Sequence, residues 1–109
     1  MKQPIMVIQS PVVKRAEIDA AIAEVVSALT PRVQYIRYDI GEDWAGGPAI
    51  FFRVLLSDEA SREENLGDVV REVDRMIRER IDFAETGFFS YVRFRSQSEQ
   101  AQIKEPAWA

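Results

Sequence analysis

The 109-residue sequence predicts an α+β domain of ferredoxin-like type, (β)αββαβ, with two helices packed on one face of a three- to four-stranded sheet. Three observations carry this expectation. Residues 18–29 and 66–81 repeat apolar side chains at helical spacing. Residues 33–40, 48–57 and 88–95 are short runs rich in aromatic and branched side chains, spaced and bounded as strands are. The order of these segments is helix, strand, strand, helix, strand.

Each element has its own signals. PIMVIQ at 4–9 has the composition of a short first strand, which would complete the four-stranded version. Ser10-Pro11 reads as an N-cap followed by proline at the first helical position. The helix that follows carries Ile18, Ile22, Val25 and Leu29 on one stripe, widened by Ala21 and Val26, and Thr30-Pro31 ends it. Strands at about 33–40 and 48–57 are joined by GEDWAGG, whose three glycines permit the positive φ angles of a longer hairpin loop.

Ser61-Arg62-Glu63-Glu64 fits a capping box and opens a second helix reaching about Ile81. Its buried stripe is Leu66, Val70, Val73, Ile77 and Ile81, flanked by Val69 and Met76. Gly67 inside it costs about 1 kcal/mol relative to alanine, which sets an alternative start near Asp68. Glu85-Thr86-Gly87 makes a turn, and FFSYVRFR at 88–95 is the last strand. Residues 1–96 are therefore expected to form a single domain. Residues 97–109, QSEQAQIKEPAWA, are expected to form a polar tail with Ile103 and Trp108 as its apolar anchors.

Composition narrows the function classes. The chain has no cysteine and no histidine, which removes disulfides, thiolate chemistry, the commonest general base and the commonest zinc ligand. That weighs against an enzyme. The net charge of −4 argues against nucleic acid as the partner of the whole surface. No signal peptide or membrane span is legible, so a cytoplasmic location is expected. Arginine outnumbers lysine, 11 to 3, and suits planar paired contacts.

Strand parity isolates the most informative feature. On one face Ile36, Tyr38, Ile40, Ile50, Phe52, Val54, Leu56, Phe88, Val92 and Phe94 await the two helices. The other face carries Tyr35, Arg37, Phe51, Arg53, Leu55, Phe89, Tyr91, Arg93 and Arg95. A strand apolar on both sides needs cover on both sides. Each aromatic buries about 150–250 Å² when covered, so four of them exceed what a soluble monomer leaves open. The candidate covers are a second copy of the chain, the tail, or a foreign ligand such as RNA. A homodimer is the expectation.

The strand GGPAIFFRVLL at 46–56 sets Phe51 and Arg53 on the open face, and the βαββαβ order resembles the RNA recognition motif. That motif stacks bases on sheet aromatics beside arginine, so the resemblance implies single-stranded RNA binding through Arg53, Tyr91 and Arg93. The chain departs from it: the strand lacks the basic-Gly-aromatic-Gly-aromatic run, and PIMVIQ has no aromatic residue. The αββαβ order is also similar to the cytoplasmic domain of cation-efflux transporters, whose zinc-sensing role does not carry over to a chain without histidine. No GxxG loop joins two helices, which excludes a type II KH domain.

The remaining candidates for chemistry are in loops and on helix surfaces. Asp39, Glu42 and Asp43 cluster beside Trp44, but their spacing matches no EF-hand loop and reads as a solvated turn. No metal or other cofactor is expected. Trp44 either folds over the hairpin or anchors a partner. Gly46-Gly47-Pro48 precedes a strand, not a helix, and is a turn, not a phosphate cradle. Asp74 with Arg78 and Arg75 with Glu79 have the i,i+4 spacing of a pair-stabilised outer face. An enzyme or an anionic-ligand binder would need a pocket containing Asp39 or Glu42 near an arginine.

Overall fold

The computed structural model describes residues 14–109. In chain order it has α1 (Arg15–Leu29), β1 (Val33–Glu42), β2 (Pro48–Leu56), α2 (Glu63–Arg80), the single-turn α3 (Phe83–Thr86), β3 (Phe89–Ser96), α4 (Gln97–Ile103) and a 3₁₀ turn at Pro106–Trp108. The expected strand at 4–9 and the Ser10-Pro11 cap lie outside the described residues.

β1 and β2 form an antiparallel hairpin, and β3 joins β2 in parallel, giving the sheet order β1-β2-β3. The fold is α+β and ferredoxin-like, in its three-stranded αββαβ form. A four-stranded split βαβ sheet keeps a place between the strands equivalent to β2 and β3. Here these two pair directly from Ala49–Phe89 to Leu56–Ser96, which closes that place.

α1 and α2 cover one face of the sheet. Ile18, Val25 and Leu29 from α1 and Val69, Val73 and Ile77 from α2 bury against Ile36, Ile50, Phe52, Val54 and Leu56. Phe52 is the centre of this layer: fully buried, 6.2 Å from the Tyr38 ring and nearly perpendicular to Phe83 at 6.3 Å. A bulge at Gln34 shifts the β1 register, so Val33 and Ile36, three residues apart, both bury on the helix side. Strict alternation does not anticipate Val33 as a core residue.

α1 is described from Arg15, with Lys14 as its N-cap. Two local expectations are corrected. The Ser61 capping box is not formed, and Arg62 caps α2 without a side-chain bond. The turn before the helix uses Ser61 instead, because its hydroxyl donates to the Ser57 carbonyl at 3.1 Å. The loop glycines do not all take positive φ: Gly46 does (82°), while Gly41 lies within β1. The charge pairs on α2 form as expected, Asp74–Arg78 and Arg75–Glu79 each at 2.9 Å.

The tail is more ordered than its polar composition suggested. Ser96 and Glu99 make a reciprocal capping box that starts α4. Ser98 donates from both its N–H and its hydroxyl to Asp58, which fixes α4 against the start of the β2–α2 loop. Ser96-x-x-Glu99 is the same motif as Ser61-x-x-Glu64. Which copy forms depends on what else each serine can reach.

Candidate functional site

The sheet face opposite the helices is ordered in rungs by strand register. Tyr35, Leu55 and Arg95 form the first rung, and Arg37, Arg53 and Arg93 the second. Asp39, Phe51 and Tyr91 form the third, and Gly41, Ala49 and Phe89 the fourth. All eight residues of the expected interaction face therefore share one surface. The tail divides that surface in two.

The tail covers the first rung and crosses the second at Arg37 and Arg53. Trp108 is only 4% exposed, its indole 4.4 Å beneath the Arg95 guanidinium. Leu55, between Tyr35 and Arg95 in register, is buried with it. The Tyr35 hydroxyl donates to the Trp108 carbonyl, Arg37 Nε donates to the Ala109 carbonyl at 3.0 Å, and Arg53 Nε donates to the Ala107 carbonyl at 2.7 Å. Arg95 adds a 2.9 Å ion pair to Glu105. Ile103, expected as a second anchor, is not one: it lies 56% exposed on α4.

The second rung sets three arginines side by side, an arrangement that like-charge repulsion disfavours. Two are compensated. Arg53 holds Asp39 at 2.8 Å as well as the Ala107 carbonyl, and Arg37 lies 4.2 Å over the Tyr35 ring while reaching the tail. Arg93 stays exposed at the end of the row. Main-chain oxygens of the Ala-Trp-Ala segment thus supplement the one acidic partner in the row, Asp39. Nothing in the residue types of the tail announces this role.

The third and fourth rungs are open. Phe51 and Tyr91 stack at 5.4 Å with an 18° interplanar angle, and Trp44 lies 5.3 Å from Tyr91. Phe89 is 59% exposed and Trp44 85%. The hairpin loop is held in place for this. Asp43 accepts from the N–H groups of Ala45 and Gly47 and from the Tyr91 hydroxyl, all at 2.8–2.9 Å. A Cβ at Gly47 would lie 3.2 Å from the Phe89 ring and 3.3 Å from the Asp43 carboxylate, so any side chain there would push on both. Trp44 therefore folds beside Tyr91 and still presents most of its surface outward.

These contacts set a pH dependence. The Gly47 N–H, then the Tyr91 hydroxyl, hold the Asp43 carboxyl below its ordinary value of 3.8. A lowered carboxyl keeps its contribution above the unfolded-chain value and loses it as pH falls through the folded one. The loop is thus expected to hold Trp44 in place at neutral pH and in mild acid, and to release it only below 3.8. Trp44 emission during an acid titration checks this, and a midpoint above 3.8 would contradict it. The same bond raises the Tyr91 phenol above 10.0, so Asp43→Asn should bring one tyrosine back toward that value in an absorbance titration.

A cleft of about 280 Å³ separates the covered and open halves, lined by Asp39, Phe51, Arg53, Tyr91, Arg93 and Trp108 among others. It is the pocket with an acid near an arginine that an enzyme would require. Its two acids are engaged, Asp39 by Arg53 and Glu105 by Arg95, and the Tyr91 hydroxyl points to Asp43 instead. No group of three or more acidic residues among the described residues is arranged to hold a metal ion.

No protein-family model matches the chain, and no curated protein does. Among solved structures, the chain is similar to the metal-bound C-terminal domain of the CzcD transporter from Cuprividus metallidurans, at 19% identity and a TM-score of 0.44 over 76% of this chain and 99% of that one. No helix among the described residues is long and apolar enough to cross a membrane.

Proposed function

We propose that this chain is a cytoplasmic, non-enzymatic interaction domain that pairs with a second copy of itself through the open half of the sheet face. The observation that supports this reading is the ordered aromatic surface of Phe51, Tyr91, Phe89 and Trp44. Two of the four rings are largely exposed, although the loop beneath them is fixed by three hydrogen bonds to Asp43. An aromatic patch held rigid and left open is what a self-complementary interface uses, because little side-chain entropy remains to be lost on contact. Arg93 at its rim suits a partner with acceptor groups.

The test is association of the full-length chain followed by light scattering over a concentration series. The wild type is expected to dimerise and Phe89→Glu to remain monomeric with unchanged circular dichroism, since Phe89 is 59% exposed and lies outside the core cluster. A wild type that stays monomeric at about 0.1 mM, well above the micromolar range of standard-sized interfaces, would remove this reading. RNA is the less favoured occupant, since Arg37 and Arg53 already donate to tail carbonyls. Salt-sensitive binding of a mixed-sequence oligonucleotide, lost in Tyr91→Ala, would favour it instead.

A further inference from the structure

The segment that covers the first rung and crosses the second behaves like a bound peptide. Tyr35, Arg37 and Arg53 hold it by the main-chain oxygens of Trp108, Ala109 and Ala107, while Arg95 pairs with the Glu105 carboxylate and Gln100 donates to the Glu105 carbonyl. Trp108 is the one side chain it buries. The receptor is built of rigid strand residues: Leu55 as floor, Tyr35, Arg37 and Arg53 as carbonyl clamps, and Arg95 as a lid on the indole.

The connection to the rest of the chain is slight. α4 buries none of its own residues, and Lys104, which follows it, is the one non-glycine residue among the described residues with a left-handed φ (56°). Glu105 is already extended. A change of backbone angles at Lys104 would therefore carry residues 105–109 away from the face without disturbing the helical layer.

We propose that this site accepts the same segment from a second copy, so that two chains exchange residues 105–109. Exchange remakes every contact of the closed form, which is why identical elements swap between protomers at low cost. The geometry permits it. Six extended residues, 104–109, span at most about 20 Å, while sheets packed face to face stand about 10 Å apart. The inference goes beyond the aromatic-face pairing and rests on it only for the face-to-face approach of the two sheets, because the segment and its receptor occupy the other half of the surface.

The sequence has only two tryptophans, which gives a direct readout. A donor chain carries Trp44→Phe, so that Trp108 is its sole tryptophan, with Tyr35→Phe and Arg95→Ala to weaken its own receptor. A receptor chain carries Trp44→Phe and Trp108→Ala and has no tryptophan. Alone, the donor should emit at the long wavelength of a solvated indole. Titrating in the receptor should shift that emission to the blue, saturably, in the range of about 0.1 mM and below the roughly millimolar effective concentration of a short tether.

An unchanged emission with folded receptor in excess would overturn the proposal. So would a donor that is already blue-shifted when alone, since Tyr35 and Arg95 would then not be what seats the indole. If Trp108→Ala does not fold, Trp108→Phe replaces it as receptor, with the same outcomes. The readout follows the environment of Trp108 and not the mass of the assembly, so its failure is distinct from failure of the aromatic-face pairing.

Discussion

Phe52→Ala is expected to cost about 3–5 kcal/mol, the range for truncating a fully buried phenylalanine. Against the 5–15 kcal/mol that holds a typical domain together, that loss leaves a marginal fold. The reason is position. Phe52 lies at the middle of the central strand, under both helices, with Tyr38 and Phe83 against its ring. Its neighbour Phe51 has the same side chain and the opposite face. Phe51→Ala removes a half-buried ring stacked on Tyr91 and should cost clearly less, while weakening self-association. Urea denaturation of the pair measures the difference. Equal losses would show that the two faces contribute alike, contrary to this account.

Trp108→Ala is the second large effect, and its character differs. Truncating a buried tryptophan costs about 3–5 kcal/mol in a core. Here the loss falls on docking of the tail, because α1, α2 and the sheet close without it. The expected result is a folded domain with α4 in place, residues 105–109 frayed, Leu55 exposed, higher binding of a hydrophobic dye and rapid cleavage within the frayed segment. Amide exchange of residues 105–109 reads it most directly. Protection equal to wild type would mean that the Tyr35, Arg37 and Arg53 bonds hold the segment without the indole.

Much of the fold was legible because it rests on periodicity. The stripe of Ile18, Val25 and Leu29 and the Val73–Ile77 pair name the helical layer, though Val69 and not the expected Val70 is the buried residue before them, and alternation from Ile50 to Leu56 names the face they cover. Where expectation and structure diverge, a local competitor intervened. Ser61 was drawn into the turn by Ser57 and left α2 uncapped, and the bulge at Gln34 moved Val33 inward. The closing of the β2–β3 gap is a matter of strand pairing that single-strand patterns do not encode.

The candidate site divides in the same way. Parity alone collected Tyr35, Arg37, Phe51, Arg53, Phe89, Tyr91, Arg93 and Arg95 onto one surface, because side chains two apart on a strand must share a face. It also showed that the surface needed cover. How that cover is shared was decided by tertiary structure. Main-chain oxygens of Ala107, Trp108 and Ala109 satisfy one end, and Asp43 locks the loop that keeps the other end open. Backbone carbonyls are the same at every position of a sequence. Only the folded chain determines which of them meet an arginine.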